Sequence, residues 1–173
     1  MPKEDLEAYF AWFQSALQCR IDQLAAYVQK DAASKNWKPD GSPDSLDMLG
    51  EWLEKYVSAR ERTQEEIDEI EVRLGDLIAV PSRNLTNESY SLGFDIGIYF
   101  GLTLLKNHPT LLWSQNLKNK KFVDSGQPVI VGFDVVQLNP VQTGLNFAYG
   151  FARKRIPGRW IHEVYETWST HVL

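Results

Sequence analysis

Apolar positions recur with helical spacing over the first part of the chain. From residue 3 to about residue 33 they follow one another every three or four positions, at Leu6, Phe10, Phe13, Leu17, Ile21, Leu24 and Val28. This spacing places them on one face of a helix. Acidic residues in the first turn, such as Glu4 and Asp5, stabilise the positive end of the helix dipole. The pattern predicts a long amphipathic first helix.

Two shorter helices are predicted next, and both carry start signals. Ser42 followed by Pro43 is typical of a helix N-terminus, and the apolar positions after it predict a second helix to about Val57. Thr63 and Glu66 have the spacing of a capping box. Behind that box, an ordinary packed third helix is predicted by four apolar residues, Ile67, Ile70, Leu74 and Leu77.

The apolar run of residues 90–105 is the most unusual stretch, because Gly93, Gly97 and Gly101 are spaced four apart in it. Bulky residues alternating with small ones are typical of a half-buried strand, but glycine weakens a strand interior. A segment of about 20 residues that ends before Pro109 has the length of a helix, with the glycines on one face. Each interior glycine costs roughly 0.5–1 kcal/mol relative to alanine. We therefore favour a central buried helix whose glycines let another backbone approach.

The pattern changes after this segment. Short β-type runs at residues 110–114, which include Trp113, at 121–124 and at 128–133 are separated by turn residues. They predict a small antiparallel sheet of about three strands. Asn139-Pro140 and residues 159–171 then indicate two C-terminal helices. The predicted fold is a single α+β domain over residues 1–173, with N-terminal helices packed on the central glycine-bearing helix.

Composition and charge narrow the class of protein. Hydrophobic residues make up 43% and charged residues 24%, as in ordinary globular proteins. Residues 1–80 carry 17 acidic and 9 basic side chains, whereas residues 81–173 carry 6 and 9. An acidic half repels phosphates, so nucleic-acid binding is disfavoured. Neither a phosphate-binding glycine loop nor a nucleophile elbow is present, and no cofactor is predicted.

The sequence predicts a cytoplasmic protein with no membrane contact. Its start has acidic residues where a secretory signal would be basic and apolar. No run reaches the roughly 18 consecutive apolar residues of a spanning helix. The single cysteine, Cys19, forms no internal disulfide, which suits a reducing compartment, and we expect it to be buried in the first helix.

Residues 93–102, Trp113 and residues 127–133 together resemble a pattern in small uncharacterised bacterial proteins. In those proteins a glycine-bearing helix leads into a strand that contains tryptophan and then a short sheet. The resemblance covers about residues 45–150 and includes no catalytic residue. Some of those proteins are regarded as immunity proteins of bacterial toxins, so the resemblance implies the same order of helix and sheet and a toxin as partner.

Asp95 is the most informative charge, because an unpaired carboxylate on an apolar element is costly. It could pair with an arginine or lysine elsewhere, cap a neighbouring helix or be exposed near the helix start. A binding carboxylate in a pocket is the functional alternative. A second candidate surface is basic and consists of Arg153, Lys154, Arg155 and Arg159.

A metal site is the weakest of the candidate sites. His162 and Glu166 are four apart, so both side chains face the same side of a helix and could bind one metal ion. No third ligand is apparent. A solvated helix face or a local ion pair is the interpretation that we favour.

These observations predict a non-catalytic protein that acts by binding another protein. The specific version is a toxin immunity protein, whose acidic half would complement a basic toxin. One alternative is a small metal-dependent hydrolase that uses Asp95, His162 and Glu166. Another is a homo-oligomeric structural protein, for instance a homodimer in which the basic surface meets the acidic half of a second copy.

Overall fold

The structure, a computed structural model, describes residues 2–75, 79–117, 123–134 and 136–173. Over these residues the chain is mixed helix and sheet, with six helices and two antiparallel sheets of two strands each. The elements are α1 (Lys3–Val28), α2 (Ser45–Tyr56), β1 (Ala59–Glu61), α3 (Gln64–Leu74), β2 (Arg83–Leu85), α4 (Asn87–Asn107), β3 (Leu112–Gln115), β4 (Pro128–Val131), α5 (Pro140–Ala152) and α6 (Trp160–Ser169).

The glycine segment is a helix, α4, as its length predicts. Thr86 begins it by accepting a hydrogen bond from the backbone N–H of Ser89, and His108 follows its last turn. Most of α4 is buried on all sides, and its side chains join the main hydrophobic core. A helix surrounded in this way needs apolar residues over most of its circumference, and Asp95 is the only charged residue between Tyr90 and Leu105.

The glycines of α4 lie against α5. A Cβ atom at Gly97 would lie 2.9 Å from the carbonyl carbon of Pro140, and one at Gly144 would lie 2.6 Å from the Cα of Gly97. Both distances are shorter than van der Waals contact. At Gly93 the nearest Cβ, that of Ala148, would be 3.2 Å away. The two backbones therefore approach to a distance that only glycine permits.

A second close approach joins α2 to α6. A Cβ atom at Gly50 in α2 would lie 2.6 Å from the carbonyl carbon of Gly158, just before α6. Glu54 of α2 also accepts a hydrogen bond from the backbone N–H of Gly158. This contact was not predicted, because the two glycines stand alone in different segments of the sequence.

α1 covers another side of α4, and Trp113 of β3 packs beside it. The ring of Phe13 meets that of Phe94 edge to face at 6.2 Å between centroids, and that of Trp113 at 5.2 Å. Trp113 is thus part of the packing around the core. Cys19 lies on the exposed side of α1, so the expectation of a buried cysteine was wrong. It is two residues from buried Ile21, which turns it about 200° away from the buried face.

The sheets differ from the prediction. β3 pairs with β4, from Leu112 opposite Val131 to Gln115 opposite Pro128. A third strand at residues 121–124 is not confirmed, since 121 and 122 lie outside the described residues and 123–124 form a turn. The other sheet, β1 with β2, was not predicted at all. Its strands are three residues each and mostly polar, apart from Ala59 and the buried Leu85. The ion pair Arg83–Glu61 (Nε–Oε1 3.2 Å) joins the two strands.

α3 is a helix with the predicted capping box, formed by Thr63 and Glu66. The prediction that it packs in the ordinary way was wrong, because none of its residues is buried. Val72 is 88% exposed and Leu74 45% exposed. Leu77, the last apolar position of the predicted pattern, lies outside the described residues.

None of the helices in the described ranges combines the length and the apolar character that crossing a membrane requires.

Candidate functional site

Asp95 is held by an arginine from α1. Its Oδ1 accepts a hydrogen bond from Nε of Arg20 at 2.5 Å, and a terminal guanidinium nitrogen of Arg20 donates to the Oγ of Ser91 at 3.2 Å. The guanidinium also lies 5.2 Å from the ring centroid of Phe94. Asp95 itself is only 6% exposed. Of the structural alternatives, pairing with an arginine is therefore the one that the fold shows.

A pocket of about 250 Å³ opens beside this ion pair, between α1 and α4. Its walls combine two carboxylates, two hydroxyls and one amide with two leucines. They are Gln23, Leu24, Tyr27, Glu88, Ser91, Leu92 and Asp95. At the opposite end from Asp95 along α4, Glu88 accepts a hydrogen bond from the hydroxyl of Tyr27. Both carboxylates on α4 are thus oriented by a residue of α1.

Burial changes the acidity of this pocket. It raises the pKa of Asp95 from 3.8 to about 6, and the charge and hydrogen bond of Arg20 offset only part of that rise. The physical cause is that a carboxylate loses its hydration inside the fold. Glu88 raises the pKa of the Tyr27 phenol above its usual value, chiefly because it accepts the phenolic proton in a hydrogen bond.

The exposed helix α3 forms a second candidate surface. Five of its eleven residues are acidic, namely Glu65, Glu66, Asp68, Glu69 and Glu71. Glu66 lies in the first turn of the helix, where it accepts hydrogen bonds from Arg60 and from the backbone N–H of Thr63. These hydrogen bonds hold the pKa of Glu66 at about 2. The other four carboxylates face water beside exposed Val72 and Leu74. The acidic first half of the chain was predicted, but this particular surface was not.

The predicted basic surface is partly assembled. Arg153, Lys154 and Arg155 lie together where α5 ends, a position in which cations stabilise the negative end of the helix dipole. Arg153 lies 5.4 Å from the ring centroid of Tyr149. Lys154 adopts a left-handed conformation with φ 51°. Arg159 instead pairs with Glu163 on α6 (Nε–Oε1 3.0 Å).

A polar cluster near this surface went unnoticed in the sequence. The phenolic oxygens of Tyr90 and Tyr149 are 2.5 Å apart, and both are within hydrogen-bond distance of Oδ1 of Asn84. Each phenol has one proton, so one phenol donates to the other and only the second donates to Asn84. Burial, followed by the bond to Tyr90, raises the pKa of Tyr149 to about 12. The cluster joins β2, α4 and α5.

His162 of the predicted metal pair lies within hydrogen-bond distance of a carboxylate of α2 instead. Nδ1 of His162 is 2.8 Å from Oδ2 of Asp47 on α2, and Nε2 is 3.9 Å from Oε1 of Glu166. Within the part of the chain that the structure describes, no three His, Cys, Asp or Glu side chains are grouped to hold a metal ion. His162 therefore links α6 to α2.

Comparisons with protein-family models, with curated proteins and with solved structures gave no match for this chain.

Proposed function

We propose that the protein is a non-catalytic binding protein and that α3 docks on a basic surface of a partner protein. The observation that carries this proposal is the exposure of α3, an acidic helix with no buried residue. A helix of eleven residues is marginal in water on its own. Burial of Val72, which is 88% exposed, against a partner would stabilise it.

Charge supports the same conclusion. Four carboxylates of α3, Glu65, Asp68, Glu69 and Glu71, are free of ion pairs with described residues. Three of them, Glu65, Asp68 and Glu69, are seven, four and three residues before Val72, so they lie on the same face of the helix. Complementary charge of this kind accelerates association and selects against other acidic proteins. The side chain of Val72 would supply the part of the affinity that salt does not screen.

The specific form of the proposal is a cytoplasmic bacterial immunity protein whose partner is a basic toxin. It is supported by the acidic first half of the chain and by the sequence resemblance of residues 45–150. The test is to express each neighbouring gene alone and together with this one. Toxicity that this protein suppresses is the expected result. If no neighbouring gene product is toxic, the immunity proposal is wrong, but the docking role of α3 is not affected.

The docking role has its own test. A photo-crosslinking amino acid at Val72 should give an adduct with a basic protein in cells, because Val72 projects from α3. The same amino acid at Val123, which is 96% exposed, is the positional control. Combining the crosslinker with Glu65→Lys and Glu69→Lys should abolish the adduct. Glu4→Lys with Glu51→Lys changes net charge equally and should not.

A second copy of this chain is the alternative partner. Lys154 and Arg155 form no ion pair with a described residue, so they could meet α3 of another copy. An adduct between two copies at Val72 would support this homodimer and contradict a separate basic partner. Equal adducts at Val72 and Val123 would contradict any docking role for α3.

A further inference from the structure

The pocket between α1 and α4 has the arrangement of a small-molecule site. Glu88, Ser91 and Asp95 are three and four residues apart, so they form one stripe along α4. Leu92 lies beside that stripe, and Leu24 and Tyr27 of α1 face it across the pocket. An apolar floor with a few convergent polar groups is typical of ligand sites.

The carboxylate of Asp95 has bonding capacity left over. Arg20 occupies Oδ1, and no other described side chain or backbone group donates to Asp95. Oδ2 is therefore available, although the side chain is about nine-tenths buried, with 9% of its area exposed. A buried carboxylate oxygen gains from each further donor, because hydrogen bonds to a charged acceptor are strong.

Charge and size restrict what could fill the pocket. Arg20 pairs with Asp95, and Nζ of Lys30 lies 5.3 Å from the ring centroid of Tyr27, so the two carboxylates of the lining have two cations beside them. The group left unfilled is an acceptor, Oδ2 of Asp95, which favours a ligand that brings hydrogen-bond donors. A volume of about 250 Å³ lies just below the roughly 300–1,000 Å³ of sites for drug-sized ligands. The ligand is therefore a small molecule.

The chemistry of the lining selects the kind of ligand group. A divalent metal prefers several oxygen ligands in close array, whereas Glu88 and Asp95 are seven residues apart, about 10 Å along the helix. An ammonium group brings three donors, requires only one or two acceptors and attaches to an apolar stem.

We propose that this pocket binds a small primary amine, with its ammonium group on Oδ2 of Asp95 and its apolar stem against Leu24 and Leu92. Ser91 lies within the same lining and provides a further hydroxyl acceptor at the mouth. This site is independent of the docking role of α3, because it uses residues of α1 and α4 alone.

The test uses the whole chain and two amines, phenethylamine and butylamine, titrated by calorimetry and by nuclear magnetic resonance. At least one amine should bind saturably and perturb the resonances of Ser91 and Leu92. Phenethyl alcohol, which has the same stem without the charge, should bind at least tenfold more weakly. Absence of saturable binding by both amines, or equal binding of the alcohol, overturns the proposal.

Variants locate the site. Asp95→Asn removes the charge and should weaken amine binding at least tenfold. Ser91→Leu, at an exposed position, should block the pocket without disturbing the core. Asp134→Asn, the same substitution outside the pocket, should leave binding unchanged. Amine binding that survives both Asp95→Asn and Ser91→Leu overturns the proposal, whereas the α3 variants should have no effect on it.

Discussion

Asp95 shows how one residue can be both well paired and costly. Its bond to Arg20 is short, but the carboxylate has lost most of its hydration. A partly exposed arginine restores only some of the lost solvation, which is why the pKa of Asp95 rises to about 6. The ion pair therefore fixes the position of α1 against α4 without adding much to the stability at neutral pH.

The raised pKa of Asp95 predicts that the stability of the fold decreases as the pH rises, whereas an ordinary ion-paired carboxylate would make it increase. Because the pKa of Asp95 is higher in the folded chain than its value of 3.8 in an unfolded one, the folded state holds a proton that the unfolded state has lost between these values. Stability from this group is thus present below about pH 4 and falls as the pH rises to about 6. At ~1.4 kcal/mol per pKa unit the loss is about 2–3 kcal/mol.

Urea unfolding at a series of pH values measures this effect. The free energy of unfolding of Asp95→Asn, relative to that of the natural chain, should rise by this amount between about pH 4 and pH 7. Asp134→Asn is the control, since Asp134 is exposed and pairs with His171 at the surface. Parallel profiles for the natural chain and Asp95→Asn would contradict the prediction.

At the scale of elements, the contact between α4 and α5 depends on glycine. Alanine at Gly97 or Gly144 would force a Cβ atom into the backbone of the other helix. Both substitutions should destabilise the fold by about 2 kcal/mol or more, because packed backbones cannot shift as side chains do. Gly101→Ala is the matched control, since its nearest neighbours are side-chain atoms at 3.0 Å or more. It should cost clearly less than the other two, because only side-chain atoms have to move and helix propensity favours alanine.

Thermal and denaturant unfolding rank these three variants. Equal effects at Gly97, Gly101 and Gly144 would mean that helix propensity, rather than close approach, determines the result.

α3 should open independently of the rest of the fold, since none of its residues is buried. Thr63→Ala removes one side of the capping box and should cost α3 about 1 kcal/mol. Hydrogen exchange should therefore accelerate in Gln64–Leu74 while that in α4 stays unchanged. Slower exchange in both, or faster exchange in both, would show that α3 is coupled to the core.

The elements also show which features are readable from sequence. The length and the end of α4 follow from local signals, namely an apolar segment of helical length and a proline beyond its end, whereas its capping Thr86 was not predicted. Whether α3 packs is not a local property, and its apolar spacing was the same as that of a buried helix. The β1–β2 sheet depends on polar residues more than 20 positions apart in sequence, for which no periodicity gives a sign.

The candidate sites also include some residues that the sequence identifies and others that it does not. Asp95 could be singled out because it is one charge in an apolar run. Its partner Arg20 could not, because it lies 75 positions earlier on a polar side of α1. Arg153, Lys154 and Arg155 are neighbours in sequence, so their clustering was predictable, whereas the capture of Arg159 by Glu163 depends on where α6 begins.

For the whole molecule, the small β1–β2 sheet has a topological effect. Glu61 is opposite Arg83 in the sheet. The chain therefore leaves the sheet after Glu61 and returns to it at Arg83, directly opposite. The backbone N–H of Arg62 also donates to the carbonyl of Ser82 at 2.7 Å. Residues 62–82, which contain α3, therefore form an excursion that is closed at its base.

Replacement of residues 62–82 by an Asn-Gly turn should leave the remaining fold intact. Such a turn joins two antiparallel strands in the correct geometry, and the excursion contributes no buried residue from α3. The melting temperature should change by only a few degrees, with the resonances of α4 and α5 unchanged. Loss of cooperative unfolding would contradict this expectation. The shortened chain lacks Val72, so loss of the adduct at Val72 is expected and does not contradict the prediction.

An excursion closed at its base lets the exposed surface of α3 change without changing the fold. Mutations between Arg62 and Ser82 can alter the sign and spacing of surface charge without entering the core that α4 and α5 build. Such a segment can diversify quickly while the rest of the chain stays constrained by its glycine contacts. Variants of this chain that bind a new partner could accordingly be selected by randomising residues 62–82 and leaving the rest of the sequence unchanged.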